Sequence, residues 1–172
     1  RLVLTNAIYF KAEWLGKFKE SDTSDRDFYT TPNAKISVPT MYQKTDMAKH
    51  ASLDKVEVLE LPYKGKELSM FIFLPKAKDG LADLEKSLSE KNLNDWIAAV
   101  QTKKDFEVYL PKFKLTKKFA LSAPLQAMGM KKAFSREADF SGINGKQGLY
   151  IQAVLHKAFI EVNEEGSEAA AA

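Results

Sequence analysis

The sequence predicts an α+β fold in which antiparallel β-structure dominates, and three features carry that prediction. Apolar runs of strand character recur along the chain at Leu2–Phe10, Val56–Leu61, Leu68–Leu74 and Leu149–Val162. The clearest helical spacing of apolar residues falls in one central stretch, 81–100. A short turn, "PYKGKE", joins two of the strands directly, which is the connection of an antiparallel pair.

From the N-terminus, Leu2–Phe10 has apolar residues at odd and even positions alike, which predicts a strand buried on both faces. Residues 16–35 are polar, with Thr, Ser, Asp, Pro and Asn clustered around Phe28 and Tyr29, and predict a loop-rich excursion. Ile36–Met41 predicts a short strand whose Pro39 suits an edge or a bulge. Val56–Leu61 alternates apolar and acidic residues and, after the turn, "LSMFIFLP" returns as the second arm of a hairpin. Leu81, Leu84 and Leu88 predict one short amphipathic helix; beyond Ser89 and Asn92, the stripe Leu93, Trp96, Ile97 and Val100 predicts a second. Phe106, Val108, Leu110, Phe113 and Leu115 alternate with polar residues across Pro111, giving a strand pair or one kinked strand. Ser122 is a candidate cap for a helix that tolerates Pro124 in its first turn and stops at Gly129. Leu149–Val162 is a long final strand, followed by a glycine and a run of alanines.

At 172 residues, 45% of them hydrophobic and 11% aromatic, the chain has the composition of one globular domain. Its charges nearly cancel at +3, and the lysines are scattered rather than gathered in a basic block, so neither nucleic acid nor a membrane is the expected partner. The absence of cysteine excludes a disulfide scaffold and thiol catalysis. Residue 1 opens directly inside an apolar run, which predicts that the chain is part of a larger protein.

Chemistry-bearing motifs are sparse. His50 and His156 fall in no arrangement that sets a base beside a nucleophile or a metal; the residue pattern predicts a surface histidine at 50 and a hydrogen-bonded core histidine at 156. "SGINGKQG", 141–148, has three glycines but lacks the Lys-Ser/Thr of a phosphate loop and is expected to be a loop. Glu161, Glu164 and Glu165 form an acidic strand end without further oxygen ligands at loop spacing. No catalytic constellation, metal site or cofactor is predicted. The tail is different: Gly166 permits a hinge, Ser167 and Ala169–Ala172 carry little bulk, and helix, loop and strand are all accessible to it.

Five phrases, in order and over essentially the whole chain, resemble the serpin superfamily: "LTNAIYFKAEW" (4–14), "LELPYKGKELSMFIFLP" (59–75), "FEVYLPKFKL" (106–115), "LQAMGMKKAFSREADFSGI" (125–143) and "VLHKAFIEVNEEGSEAAAA" (154–172). That resemblance implies a partial copy of the serpin fold: residues 1–172 as part of a single domain, 1–14 as the third strand of a large central sheet and 149–163 as the fifth. It implies that 164–172 is the proximal hinge of a reactive loop, made of Gly166, Ser167, Glu168, Ala169, Ala170, Ala171 and Ala172. It also implies that Asn6 and His156 are a switch pair where the sheet opens, and that Trp14, Lys112 and Glu164 cluster where the loop first enters, with Lys112 and Glu164 as an ion pair.

By the same resemblance the protein is no enzyme. It is expected to trap a target serine protease, or a cysteine protease, with a carrier or chaperone of the same fold as the alternative. An extracellular location is implied, an intracellular one staying open. The scissile bond is expected outside this chain, with further serpin segments before Arg1 and after Ala172. Strand alternation places Ser167, Ala169 and Ala171 on one face of the hinge, and these small groups suit a strand that slides into a sheet. Non-inhibitory members commonly depart from this small-residue pattern.

Overall fold

The computed structural model describes residues 2–6 and 9–170, and the chain divides into two compact units. The first comprises Arg1–Lys11, Lys114–Glu161 and Glu168–Ala172. It holds most of a five-stranded sheet of β1 (Leu2–Asn6), β2 (Tyr9–Glu13), β10 (Phe113–Ala120), β11 (Ile151–Val162) and β12 (Gly166–Ala170), in the order β1-β11-β12-β2 with β10 also on β11. β1 runs parallel to β11 and ends on the pair Asn6↔His156. The continuation of the same segment, β2, has β12 between itself and β11.

The apolar run at the N-terminus does form strand, but it is not covered on both faces: Val3 is 58% and Tyr9 65% exposed. Branched and aromatic residues fix the extended backbone; they do not by themselves fix what packs over it. Ser122 also departs from its predicted role. It is the first residue of α3 (Ser122–Ala127), and its Oγ accepts from Val154 N on β11 at 3.0 Å, tying the helix to the strand. The 141–148 segment, expected as loop throughout, opens with the one-turn helix α4 (Ser141–Asn144), closed by Gly145 at φ +70.

The second unit comprises Ala12–Phe113 and Val162–Ser167. One of its sheets orders β3 (Ser24–Thr31), β4 (Ala34–Thr45) and β9 (Phe106–Pro111). The other orders β7 (Ser69–Pro75), β6 (Val56–Pro62), β5 (Lys49–Ser52) and β8 (Gln101–Thr102). The helices α1 (Leu81–Ser87) and α2 (Glu90–Ala98) follow the β6–β7 hairpin, and Ser89 caps the second by accepting from Asn92 N at 3.1 Å. Leu84 and Trp96 pack with Phe71 and Phe73 on the buried Ala51, Val56 and Val58. A fully buried valine such as Val58 contributes about 1.5–3 kcal/mol relative to leaving it in water.

Residues 16–35 are the largest departure from expectation: the predicted loop region contains β3, which pairs antiparallel with β4 over Ser24↔Thr40 to Thr31↔Ala34. Every residue of β3 is exposed, so polar side chains occupy strand positions that would be apolar in a covered sheet. β4 is correspondingly long and central, yet holds Pro39. Pairing with β9 runs from Thr45↔Phe106 only to Thr40↔Pro111, so the proline lies just past the end of that ladder, and its carbonyl accepts from Lys112 N at 2.8 Å.

His50, expected at the surface, is tucked in with a side chain only 12% exposed. Its ring stacks on Phe106 at 4.8 Å, and its Nε2 lies 2.7 Å from Glu57 Oε2. The pairing Ser52↔Glu57 explains this, because Ser52 and His50 share a face of β5 and both reach the same carboxylate.

Candidate functional site

Three residues, Asn163–Glu165, turn the chain between β11 and β12. Asn163 Oδ1 accepts from Glu165 N at 3.0 Å and Gly166 N at 3.2 Å, and Asn163 N donates to Gly166 O at 3.0 Å. The short asparagine side chain thus satisfies backbone donors that the turn would leave unpaired. The turn is docked by Trp14, whose N donates to Glu165 O at 3.0 Å and whose indole Nε1 donates to Asn163 O at 2.9 Å.

Glu164 points into the interior beneath this turn, 7% exposed. Lys112 Nζ approaches it at 2.7 Å, and Thr23 Oγ1 donates to its Oε1 at 2.7 Å. Burial pushes the Glu164 carboxyl up, but the hydrogen bonds from Lys112 and Thr23 outweigh it and hold the group below the ordinary carboxylate range. Trp14, Lys112 and Glu164 therefore converge on one turn, and Lys112 and Glu164 are in contact.

Beyond the turn, Gly166 and Ser167 are buried and Glu168, Ala169 and Ala170 half-buried. A methyl group built on Gly166 would stand 2.0 Å from the carbonyl oxygen of Ala12, so only hydrogen fits between the two backbones. Ser167 is 4% exposed, and the buried Tyr63 hydroxyl donates to its Oγ at 2.9 Å. Burial raises the Tyr63 phenol, and the bond to Ser167 opposes that rise. Tyr63 in turn stacks on Trp14 with centroids 4.8 Å apart and planes 8° from parallel, while Phe18 meets Trp14 edge-on.

The solvent side of the same stretch is ionic: Lys17 reaches Glu165 at 2.8 Å and Glu13 at 3.3 Å. In the first unit, Lys11 reaches Glu168 at 3.3 Å. Ala171 and Ala172 lie outside the described residues. Asn6 and His156 are direct strand partners at the end of the β1–β11 ladder, with His156 stacked on Phe119 at 6.1 Å.

Thr23, Tyr63, Lys17 and Asn163 were not singled out from the sequence. The Asn-x-x-Gly spacing in "NEEG" is a turn signal that could have found Asn163. The others carry no local mark for the hinge, since the partners they reach there lie more than a hundred positions away, as with the 104 between Tyr63 and Ser167.

In this sheet a short strand made mostly of small residues, Gly166–Ala170, lies between β11 and β2. The sequence matches the family described as Serpin (serine protease inhibitor) over residues 1–172, and the chain belongs to that family. It is 47% identical to Iripin-8 of Ixodes ricinus, over 99% of this chain and 42% of the relative. It is 43% identical to the leukocyte elastase inhibitor of Xenopus laevis, over 100% of this chain and 47% of the relative. Among solved structures, a loop-inserted structure of a cleaved ovalbumin mutant superposes with a TM-score of 0.89 at 35% identity, covering 96% of this chain and 44% of that one. The chain spans less than half the length of these relatives.

Proposed function

We propose that the chain is the sheet-and-hinge part of an inhibitory serpin, with 164–172 as the proximal hinge of its reactive loop. A target serine protease attacks the loop through its serine hydroxyl, forming an ester with the carbonyl side of the scissile bond and releasing the amine side. The hinge then enters the central sheet as a new strand and carries the protease with it, so that the ester is not hydrolysed. Asn6 and His156 mark the point where the strands part. Trp14, Lys112 and Glu164, joined by Thr23 and Tyr63, receive the first residues of the hinge.

The observation that carries this reading is the position of Gly166–Ala170 between β11 and β2, where the buried side chains are no larger than serine. A strand there gains ladder hydrogen bonds on both edges, each contributing about 0.5–1.5 kcal/mol net, without forcing bulk or charge into the interior. The name of the Xenopus relative, an elastase inhibitor, agrees with a protease as partner.

The test is to incubate the full-length protein with a panel of serine and cysteine proteases and look for a covalent complex that survives SDS. Formation with at least one protease is expected. Loop cleavage without a complex for any of them would overturn the inhibitory reading and favour a carrier or chaperone.

A further inference from the structure

Met47 stands in the turn between β4 and β5, where its N donates to Thr45 Oγ1 at 3.0 Å. It is 51% exposed, whereas the next residue, Ala48, is buried. Its sulfur rests over Gly16: a methyl group built on that glycine would stand 3.2 Å from Met47 Sδ, 3.4 Å from Gln43 Oε1 and 3.9 Å from Thr45 Oγ1. A void of about 10 Å³ beside the sulfur is walled in part by Trp14, Gly16, Met47, Ala48, Leu61 and Pro62. That is close to the least space that holds a water.

Gly16 belongs to the segment that grips the hinge. On one side of it Trp14 donates to Glu165 O and, through Nε1, to Asn163 O; on the other, Phe18 N donates to Glu164 O at 3.1 Å. Met47 is therefore one layer of packing away from the turn at the root of the hinge. A thioether suits this place, because it is apolar, slender and flexible enough to follow an irregular gap. A larger and more polar group does not, since the void has no room for it and the walls are mostly apolar.

The five methionines differ in their access to solvent. Met41 is fully buried, while Met47, Met128 and Met130 are exposed. Met128 and Met130 belong to the other unit, whereas Met47 packs on the segment that grips the hinge.

We propose that Met47 is a reversible oxidation site, at which hydrogen peroxide converts the thioether to a sulfoxide and weakens insertion of the hinge. The sulfur lone pair attacks one peroxide oxygen, so that the S–O bond forms as the O–O bond breaks. The proton on the transferred oxygen goes to the departing hydroxide, giving water; sulfur is oxidised and peroxide reduced. The new oxygen is a strong acceptor, and the Thr45 hydroxyl, whose oxygen already takes Met47 N, has its own hydrogen to give. A side chain turned to that partner no longer fills the gap over Gly16 and beside Trp14. The inference rests on the inhibitory reading above and adds a regulation to it: an oxidant diverts the inhibitor toward the path of a cleaved substrate.

The test treats the full-length protein with hydrogen peroxide and follows sulfoxide at each methionine by peptide mapping. Two kinetic readouts accompany it, the stoichiometry of inhibition and the rate at which the reactive loop is cut. The variants are Met47→Leu, which keeps the volume and removes the sulfur, and the Met128→Leu/Met130→Leu double substitution. In the wild type and the double variant, stoichiometry is expected to rise about threefold in step with sulfoxide at Met47. The rate of cutting should not change, because Met47 acts on insertion and not on docking. Methionine sulfoxide reductases are expected to restore the starting stoichiometry, and Met47→Leu to hold it throughout. Unchanged stoichiometry with Met47 fully oxidised, or an equal rise in Met47→Leu, would overturn the switch and leave the inhibitory reading intact. So would a Met47 that stays reduced while Met128 and Met130 convert. A wild type that traps no protease before oxidation would overturn both.

Discussion

At Gly166 a methyl group has nowhere to go. Its nearest neighbour, 2.0 Å away, would be a carbonyl oxygen of the adjacent strand rather than the end of a flexible side chain. Gly166→Ala is therefore expected to block or misplace the hinge, raising the number of inhibitor molecules consumed per protease trapped, which titration of residual protease activity measures. Tyr63→Phe is milder. It leaves the Ser167 hydroxyl buried without its donor, at a cost of about 1 kcal/mol that applies only when the hinge is inserted. Comparing melting temperatures before and after loop cleavage should show the loss in the cleaved form alone.

Glu164 adds a pH dependence whose sign follows from its lowered carboxyl. A group with a depressed folded pKa contributes stability that is complete above its unfolded value and is lost as pH falls through its folded one. The melting temperature is expected to fall on acidification below about pH 4.5, and less steeply in Glu164→Gln. Equal slopes would mean that the ion pair with Lys112 does not contribute.

The behaviour of β12 belongs to the element rather than to any one residue. Its sequence has no strong strand preference, since alanine favours helix, and its extended form is set by the ladders on either side. Bulk on its inward face should therefore act through rate: Ser167→Arg or Ala169→Arg is expected to turn an inhibitor into a substrate, cleaved and released. Covalent complex formed at the wild-type yield would contradict the inward assignment.

Elements whose pattern is complete within themselves were legible in the sequence. The β6–β7 hairpin, the helices α1 and α2 and the long β11 each carry their own periodicity and turn residues. β3 was not, because an uncovered strand in which Phe28 and Tyr29 stand among Ser, Asp, Arg and Thr has the composition of a loop until its partner is known. His50 shows the same limit at smaller scale: its burial depends on Glu57 across a strand pair and on Phe106 from another sheet.

On the scale of the whole molecule, the candidate site was partly legible. The resemblance supplied Trp14, Lys112 and Glu164, which the structure brings to one turn. It did not supply Thr23 and Tyr63, which complete the polar partners of Glu164 and Ser167. The result is a sheet with two kinds of seam, β1 directly against β11 as far as Asn6↔His156, and β2 separated from β11 by β12. On the proposed mechanism, β12 reaches this place after cleavage of the loop.

The most direct measurement is the melting temperature of the full-length protein before and after a single cut in the reactive loop. Five hinge residues gaining ladder bonds on two edges should raise it by roughly 10 °C or more. An unchanged or lowered melting temperature, with the cut verified by mass spectrometry, would contradict insertion of the hinge.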